Sequence, residues 1–251
     1  MSAFSLSHFL VVNPFIALFI ICHVLSDFHF QSQKLAELKE KNKFYLLGHL
    51  CQVAWPLILL GLYQPVAWPE VIWIICSHAF LDGLEPFVKG YFSERLYFTM
   101  DQFIHLAISV SLALSLSEAG AKLAMTLGEW AKLPSIVLFF LLVTKPANLV
   151  FRICFAKYQP VKSILNDNQV FQKQEEQQTI TGAGATIGTL ERLVMGVCIL
   201  FGQFASIGLV FTAKSIARYN KISEDPAFAE YYLIGSLFSI LTVMVAAWIC
   251  L

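Results

Sequence analysis

The chain has 251 residues, 57% of them hydrophobic and only 14% charged, and its 17 basic and 17 acidic side chains cancel to a net charge of zero. An average soluble domain carries about 25% charged residues, so this composition belongs to an integral membrane protein. The charge balance removes the electrostatic reason to bind nucleic acid, and no fixed-period repeat organises the chain.

A membrane-crossing helix needs about 20 mostly apolar residues. Seven runs qualify: 8–29, 44–63, 68–88, 97–117, 134–155, 190–212 and 228–251. The expected fold class is therefore all-α, a polytopic transmembrane helix bundle of about seven segments. Residues 1–118 form a four-helix unit and 119–251 a C-terminal unit with a polar loop at 157–182. That loop is too short to fold alone.

The first run contains I-C-H-V-L-S-D-F, with His23 and Asp27 four residues apart. No positive charge precedes this run and no small-x-small cleavage site follows it, which marks a retained helix rather than a secretory signal. Lys34, Lys39, Lys41 and Lys43 follow it, and Lys89 and Arg95 follow the third run, whereas the N-terminal tail and the turn after the second run carry no Lys or Arg. The positive-inside bias then puts the first and third loops in the cytoplasm and the N-terminus outside. Lys157, Lys162 and Lys173 fall on the same cytoplasmic side, while Lys214, Arg218 and Lys221 after the sixth run disagree with it. Lys145-Pro146 interrupts the fifth run, which leaves a broken or re-entrant helix as the alternative there, with reversed sidedness beyond it.

The second run contributes His49 near its start. The third contains His78-A-F-L-Asp82, and the fourth contains the reverse order, Asp101-Q-F-I-His105. Residues four apart share a helix face, so each pair aims two side chains at one point. Because successive helices alternate in direction, all seven residues (His23, Asp27, His49, His78, Asp82, Asp101 and His105) fall at one depth, in the cytoplasmic half of the bilayer. Ionisable groups at that depth are costly and by default functional. Four imidazoles and three carboxylates on antiparallel helices are the ligand types that bundles use for a divalent metal. Zinc is the first choice and manganese or iron the alternatives, with some carboxylates serving to orient imidazoles instead. The competing expectation is a set of interhelical hydrogen bonds that only hold the bundle together.

The six cysteines all lie in apolar runs without a C-x-x-C pair, and Cys22, Cys51 and Cys76 point away from their neighbouring histidines on a helix, so they are read as small hydrophobes. Glu191-Arg192 is read as opening the sixth helix after G-A-G-A-T-I-G, a glycine-rich approach without the phosphate-binding lysine of a P-loop. Its functional reading is a general base or ligand (Glu191) beside a phosphate-holding fork (Arg192); its structural reading is a charged pair at a helix start. Lys145 is expected to face inward toward a carboxylate or a substrate anion, and Lys214 and Arg218 to bind a head-group phosphate or anchor a helix end.

The stretches I-C-H-V-L-S-D-F, S-H-A-F-L-D-G-L and G-T-L-E-R-L-V-M-G-V resemble motifs of YdjM-like, membrane-bound metal-dependent hydrolases of the bacterial inner membrane. The whole arrangement, with D-Q-F-I-H and A-K-S-I-A-R, is more similar to a bacterial membrane family known as a domain of unknown function. The resemblance implies His23, His78 and Asp82 as metal ligands and Glu191 as part of the site. The chain departs from the hydrolase pattern in lacking P-D-x-D-H and H-R-x-x-T-H-S, for which His49 is a partial stand-in.

Three function classes follow. The first is a metal-dependent hydrolase acting on a phospholipid or other amphiphile at the cytoplasmic leaflet; the second is a metal or proton-coupled transporter; the third is a scaffold or sensor with a structural polar cluster. Clustering at one depth favours the hydrolase, whereas a transporter needs polar groups across the whole thickness. The expected partners are the membrane and a lipid or amphiphilic small molecule, with self-association into a homo-oligomer left open.

Overall fold

A computed structural model of the protein describes residues 5–40, 42–159 and 182–251. Lys41 and most of the expected polar loop at 157–182, with Lys162 and Lys173, lie outside the described residues. Among the described residues every regular element is helical, and the class is all-α.

The first apolar run is not one straight helix. Helix α1 (Leu6–Val12) starts at Ser5, whose hydroxyl accepts from the His8 N–H, and ends at Asn13, whose backbone leaves the helical region at φ −120°, ψ 68°. Pro14 then opens α2 (Pro14–Val24), the position where a missing N–H and a fixed φ do no harm. The Asn13 amide donates to the Phe9 carbonyl, and the two helices meet at 96°. The sequence reading placed its break at Lys145-Pro146 and missed this one at Asn13-Pro14.

Helix α2 runs on into a π-helical turn, Leu25–Phe30. The Ser26 hydroxyl donates to the carbonyls of Cys22 and His23 there. A short helix, α3 (Gln33–Leu38), is capped by Ser32, and α4 (Lys43–Tyr63) by Asn42. Two long helices follow, α5 (Trp68–Val88) and α6 (Glu94–Ser115), the latter capped by Ser93. Gly61 allows the close turn between α4 and α5, since a Cβ there would stand 3.1 Å from the Trp68 ring.

The chain continues through α7 (Ser117–Leu127), α8 (Leu133–Leu142) and α9 (Lys145–Phe155), with a turn at residues 143–144 dividing the expected run 134–155. The expected run 190–212 is also corrected. Helix α10 (Ala183–Leu200) begins earlier, and Gly202, at φ 67°, separates it from α11 (Phe204–Ala217). The last helices are α12 (Tyr219–Glu224) and α13 (Pro226–Cys250). Six helical stretches among the described residues are long and apolar enough to cross a membrane, and up to seven if the bent pair α1–α2 counts as one span.

Two units divide the chain, residues 1–146 with 245–251, and residues 147–244. In the first, α2 packs against α4, α6, α7 and α8, while α5 packs against α4 and α6. The buried stripe of α5 reads Val71, Ile74, His78, Asp82, Glu85, a spacing of three and four that follows one helix face. It is apolar at one end and ionisable at the other. Helix α4 buries His49 near its start and Val53, Leu57 and Leu60 beyond it, and α6 buries His105, Ser109 and Ala113. The outer faces carry Trp73, Phe80, Phe87 and Phe103, all exposed, as befits helices whose solvent is lipid. In the second unit α10 packs against α11 and buries Glu191, Arg192 and Met195.

Candidate metal centre

Four donor atoms from three stretches of chain meet in the first unit: Asp27 Oδ1 from the π turn, His49 Nε2 from α4, and His78 Nε2 and Asp82 Oδ2 from α5. His49 stands 3.4 Å from His78, 3.2 Å from Asp82 and 3.9 Å from Asp27. His78 stands 3.5 Å from each of the two carboxylates. Ligand atoms held tetrahedrally around zinc at about 2.0–2.1 Å from the ion are themselves about 3.3 Å apart, so the 3.2–3.5 Å separations among His49, His78 and Asp82 suit one small cation. Two overlapping sets, His23 with Asp27 and His78, and His49 with His78 and Asp82, each bring three ligand atoms within 4.8 Å of one another.

The hydrogen bonds around the cage fix which nitrogens carry lone pairs. Gln102 donates its amide N–H to Asp101 Oδ2 at 3.1 Å, which turns its carbonyl oxygen toward His23 Nε2, also at 3.1 Å. His23 Nε2 must then be the donor in a neutral ring, leaving the lone pair on Nδ1. That atom faces Asp27 Oδ2 at 3.7 Å, an acceptor opposite an acceptor, which is stable only with a cation or an extra proton between them. His105 repeats the pattern: Nδ1 reaches the Asp101 carbonyl at 3.2 Å, and buried Nε2 has no hydrogen-bond partner. The His105 ring stands edge-on to His78 with centroids 4.1 Å apart. Asp82 Oδ2 and His49 Nδ1 are likewise buried without a hydrogen-bond partner. Asp82 Oδ2 is within ion-pair distance of His49 and His78; a metal between these atoms would satisfy all three, so the residues present fit a divalent ion.

An outer chain of charges was missed at the sequence level. Lys39 lies 3.0 Å from Asp82 Oδ1 and 3.0 Å from Glu85 Oε2, and Lys89 pairs with Glu40 and, at 3.5 Å, with Glu85 Oε1. Burial would lower the proton affinity of Lys39, but Asp82 and Glu85 outweigh it and hold the ammonium above the ordinary lysine value. Lys39 therefore stays charged throughout the physiological range. Counting Asp27, Asp82, Asp101, Glu85 and Glu40 against Lys39 and Lys89 leaves an excess of three carboxylates over ammonium groups, a surplus that a bound cation would reduce. Lys39 was visible in the sequence only as a topology marker. Glu85 was legible in principle, because it lies three residues after Asp82 and seven after His78 on the same face.

The remaining expected site residues lie differently. Asp101 is tied to the cage through Gln102 and through a 3.9 Å approach to His105, and it belongs to neither metal-compatible set. Lys145 donates to the His29 backbone carbonyl at 2.9 Å, a helix-end contact rather than a carboxylate pair. Glu191 does not open a helix: α10 starts at Ala183, so Glu191 is two turns inside it. Its carboxylate is held by Lys214 at 2.8 Å, and Lys214 also reaches Ser236 at 3.4 Å. Arg192 bonds to Asn148 and lies 3.5 Å from Ser239. Arg218 ends α11 with its guanidinium 6.0 Å from the Phe228 ring centre. Glu191, Arg192 and Lys214 form polar contacts within the second unit, and Arg218 a cation–ring contact there. Of the cysteines, Cys22 and Cys250 are buried, while Cys51, Cys76 and Cys154 are on exposed faces.

No similar protein was found among curated proteins or solved structures. The likeness to YdjM-like hydrolases thus rests on the short sequence stretches alone. Residues 15–133 match the family described as Protein of unknown function (DUF3307), a range that includes all seven residues of the His/Asp cluster, with Lys39, Glu85 and Gln102, and excludes Lys145, Glu191, Arg192, Lys214 and Arg218; the stretch that builds the cage is thus similar to that family.

Proposed function

We propose that the protein is a membrane-embedded, metal-dependent hydrolase acting on a phospholipid or another amphiphile at the cytoplasmic leaflet. The observation that carries this reading is the convergence of imidazole and carboxylate atoms 3.2–3.9 Å apart, beside a buried His105 Nε2 that has no hydrogen-bond partner. Zinc suits the mixed nitrogen and oxygen donors best, with manganese or iron next. A bound divalent ion supplies a Lewis acid that polarises a phosphoryl or acyl oxygen and makes water a nucleophile near neutral pH.

Asp27, His49, His78 and Asp82 hold the ion in this reading, and His23 is positioned by Gln102 either to join them or to bind Asp27. His105 keeps its Nε2 lone pair free inside the cluster and is the group placed to take a proton from the attacking water. The surrounding apolar helices exclude bulk water and raise the electrostatic effect of every charge in the cage. Glu191 and Arg192 remain a second polar locus for an anionic substrate, with Lys145, Lys214 and Arg218 as further cations.

The test is release of product from mixed micelles of phospholipid or acyl ester by the purified protein. The expected result is turnover that disappears with chelator and returns with added zinc or manganese. Metal-bound protein that moves the ion across liposomes without hydrolysing anything would favour transport instead, a reading supported by the broken first span, since interrupted helices are common at transport sites. Metal-free protein would leave the scaffold reading.

The orientation belongs to the same proposal: a multi-pass protein of the bacterial inner membrane, N-terminus outside, with the cage near the cytoplasmic face. Lys34 is exposed at the start of α3, so Lys34→Cys is the reporting position. An impermeant thiol reagent is expected to label it only after the membrane is opened; labelling in intact cells would invert the topology.

A further inference from the structure

Resting on the metal reading of the cage, a second question concerns how many ions it holds. Asp82 divides its two oxygens. Oδ2 faces His49 Nε2 at 3.2 Å inside the cage, and Oδ1 faces the Lys39 ammonium at 3.0 Å. The same ammonium is 3.0 Å from Glu85 Oε2. The side chains of Asp82 and Glu85 are 2% and 9% exposed and that of Lys39 12%, and Lys39 comes from the end of α3, outside the three donor-bearing stretches.

In two-metal hydrolases, a carboxylate with one oxygen toward each of two cations bridges ions about 3.5–4 Å apart. Asp82 has that split arrangement, and Glu85, one turn further along the same face of α5, completes an acidic pocket for the second cation. The place is taken by a lysine. We propose that Lys39 is a tethered cation in the position of a second metal: it keeps the centre mononuclear, fixes Asp82 as a single-oxygen ligand, and leaves Glu85 out of the metal shell.

The position of Lys39 is braced rather than incidental. Ser32 caps α3, the helix that ends at Lys39, and the next residue, Glu40, pairs with Lys89 of the α5 C-terminus, which also holds the other oxygen of Glu85. Alternating charges thus run Asp82, Lys39, Glu85, Lys89, Glu40. Removing Lys39 leaves two nearly buried carboxylates side by side with their cation gone. In an apolar bundle such a pair is stabilised by gaining a cation or by taking up a proton.

The experiment is a count of manganese per chain in detergent-purified full-length protein after equilibration with Mn2+ and removal of the excess. Wild type is expected to hold one ion, Lys39→Ala two, and Lys39→Arg one, because the guanidinium restores the cation. The double variant Lys39→Ala with Glu85→Gln is expected to return to one, which a purely structural role for Lys39 does not predict. One ion in both wild type and Lys39→Ala overturns the tethered-cation proposal and leaves the cage intact. Two ions in wild type also overturn it. Fewer than about a tenth of an ion in wild type removes the metal reading itself. Should Lys39→Ala not yield folded protein, the paramagnetic resonance spectrum of Mn2+-loaded wild type decides: an isolated six-line signal supports the proposal, and an exchange-coupled pair overturns it.

Discussion

Replacing His78 by alanine is expected to strip the protein of its metal, from about one ion per chain in the wild type to less than a tenth, as measured by elemental analysis of detergent-purified protein. His78 Nε2 is the most shared donor of the cage, within 3.5 Å of both carboxylates and 3.4 Å of His49, and it belongs to both metal-compatible sets. Changing a residue that merely orients a ligand costs about 10–100-fold in metal affinity, so losing this donor should cost at least the upper end of that range. Stability follows by linkage. An ion present at about a thousand times its dissociation constant adds about 4 kcal/mol to the folded state, so chelator should lower the unfolding temperature of the wild type and leave that of His78→Ala unchanged. Retention of the ion by His78→Ala would show that the imidazoles and carboxylates are only hydrogen-bonding partners in the bundle.

The same histidine shows why part of the site was legible in the sequence. H-x-x-x-D places two ligands on one face of any helix, and α5 is a regular helix through that stretch, so periodicity alone brings His78 and Asp82 together. His23 and Asp27 share the spacing, but Asp27 lies in a π turn, which periodicity does not signal. The outer charges were hidden for another reason. Lys39 comes from a short connecting helix, and its meeting with Asp82, 43 residues away, depends on how that connection folds back over α5. Two boundaries failed through local chemistry. Asn13-Pro14 breaks an unbroken apolar run because proline donates no hydrogen bond and Asn13 leaves the helical region. The glycine-rich stretch before Glu191 is expected to precede the helix, yet after Gly182, at φ 85°, it is helical from Ala183 onward.

That helix start changes what Glu191 should do when altered. Placed inside α10, Glu191 owes nothing to a helix N-terminus; its partner is Lys214, 2.8 Å away, with the two side chains 10% and 21% exposed. Glu191→Gln keeps the shape and removes the charge, leaving the Lys214 ammonium with Ser236, a neutral acceptor at 3.4 Å, and the Tyr232 ring at 4.9 Å. Breaking a fully buried ion pair by removing one partner costs about 3–5 kcal/mol; this pair is part-buried, so the variant should lose less than that and unfold at a lower temperature than wild type. Its metal content should stay at the wild-type level, since Glu191 lies outside the domain that supplies the cage donors. The double variant Glu191→Gln with Lys214→Met should recover much of the lost stability, because no uncompensated charge remains. Loss of the ion in Glu191→Gln would make Glu191 a ligand. Loss of turnover in folded, metal-loaded Glu191→Gln would assign it the base in place of His105. An unchanged unfolding temperature would mean that the Glu191–Lys214 pair is solvated and holds nothing together.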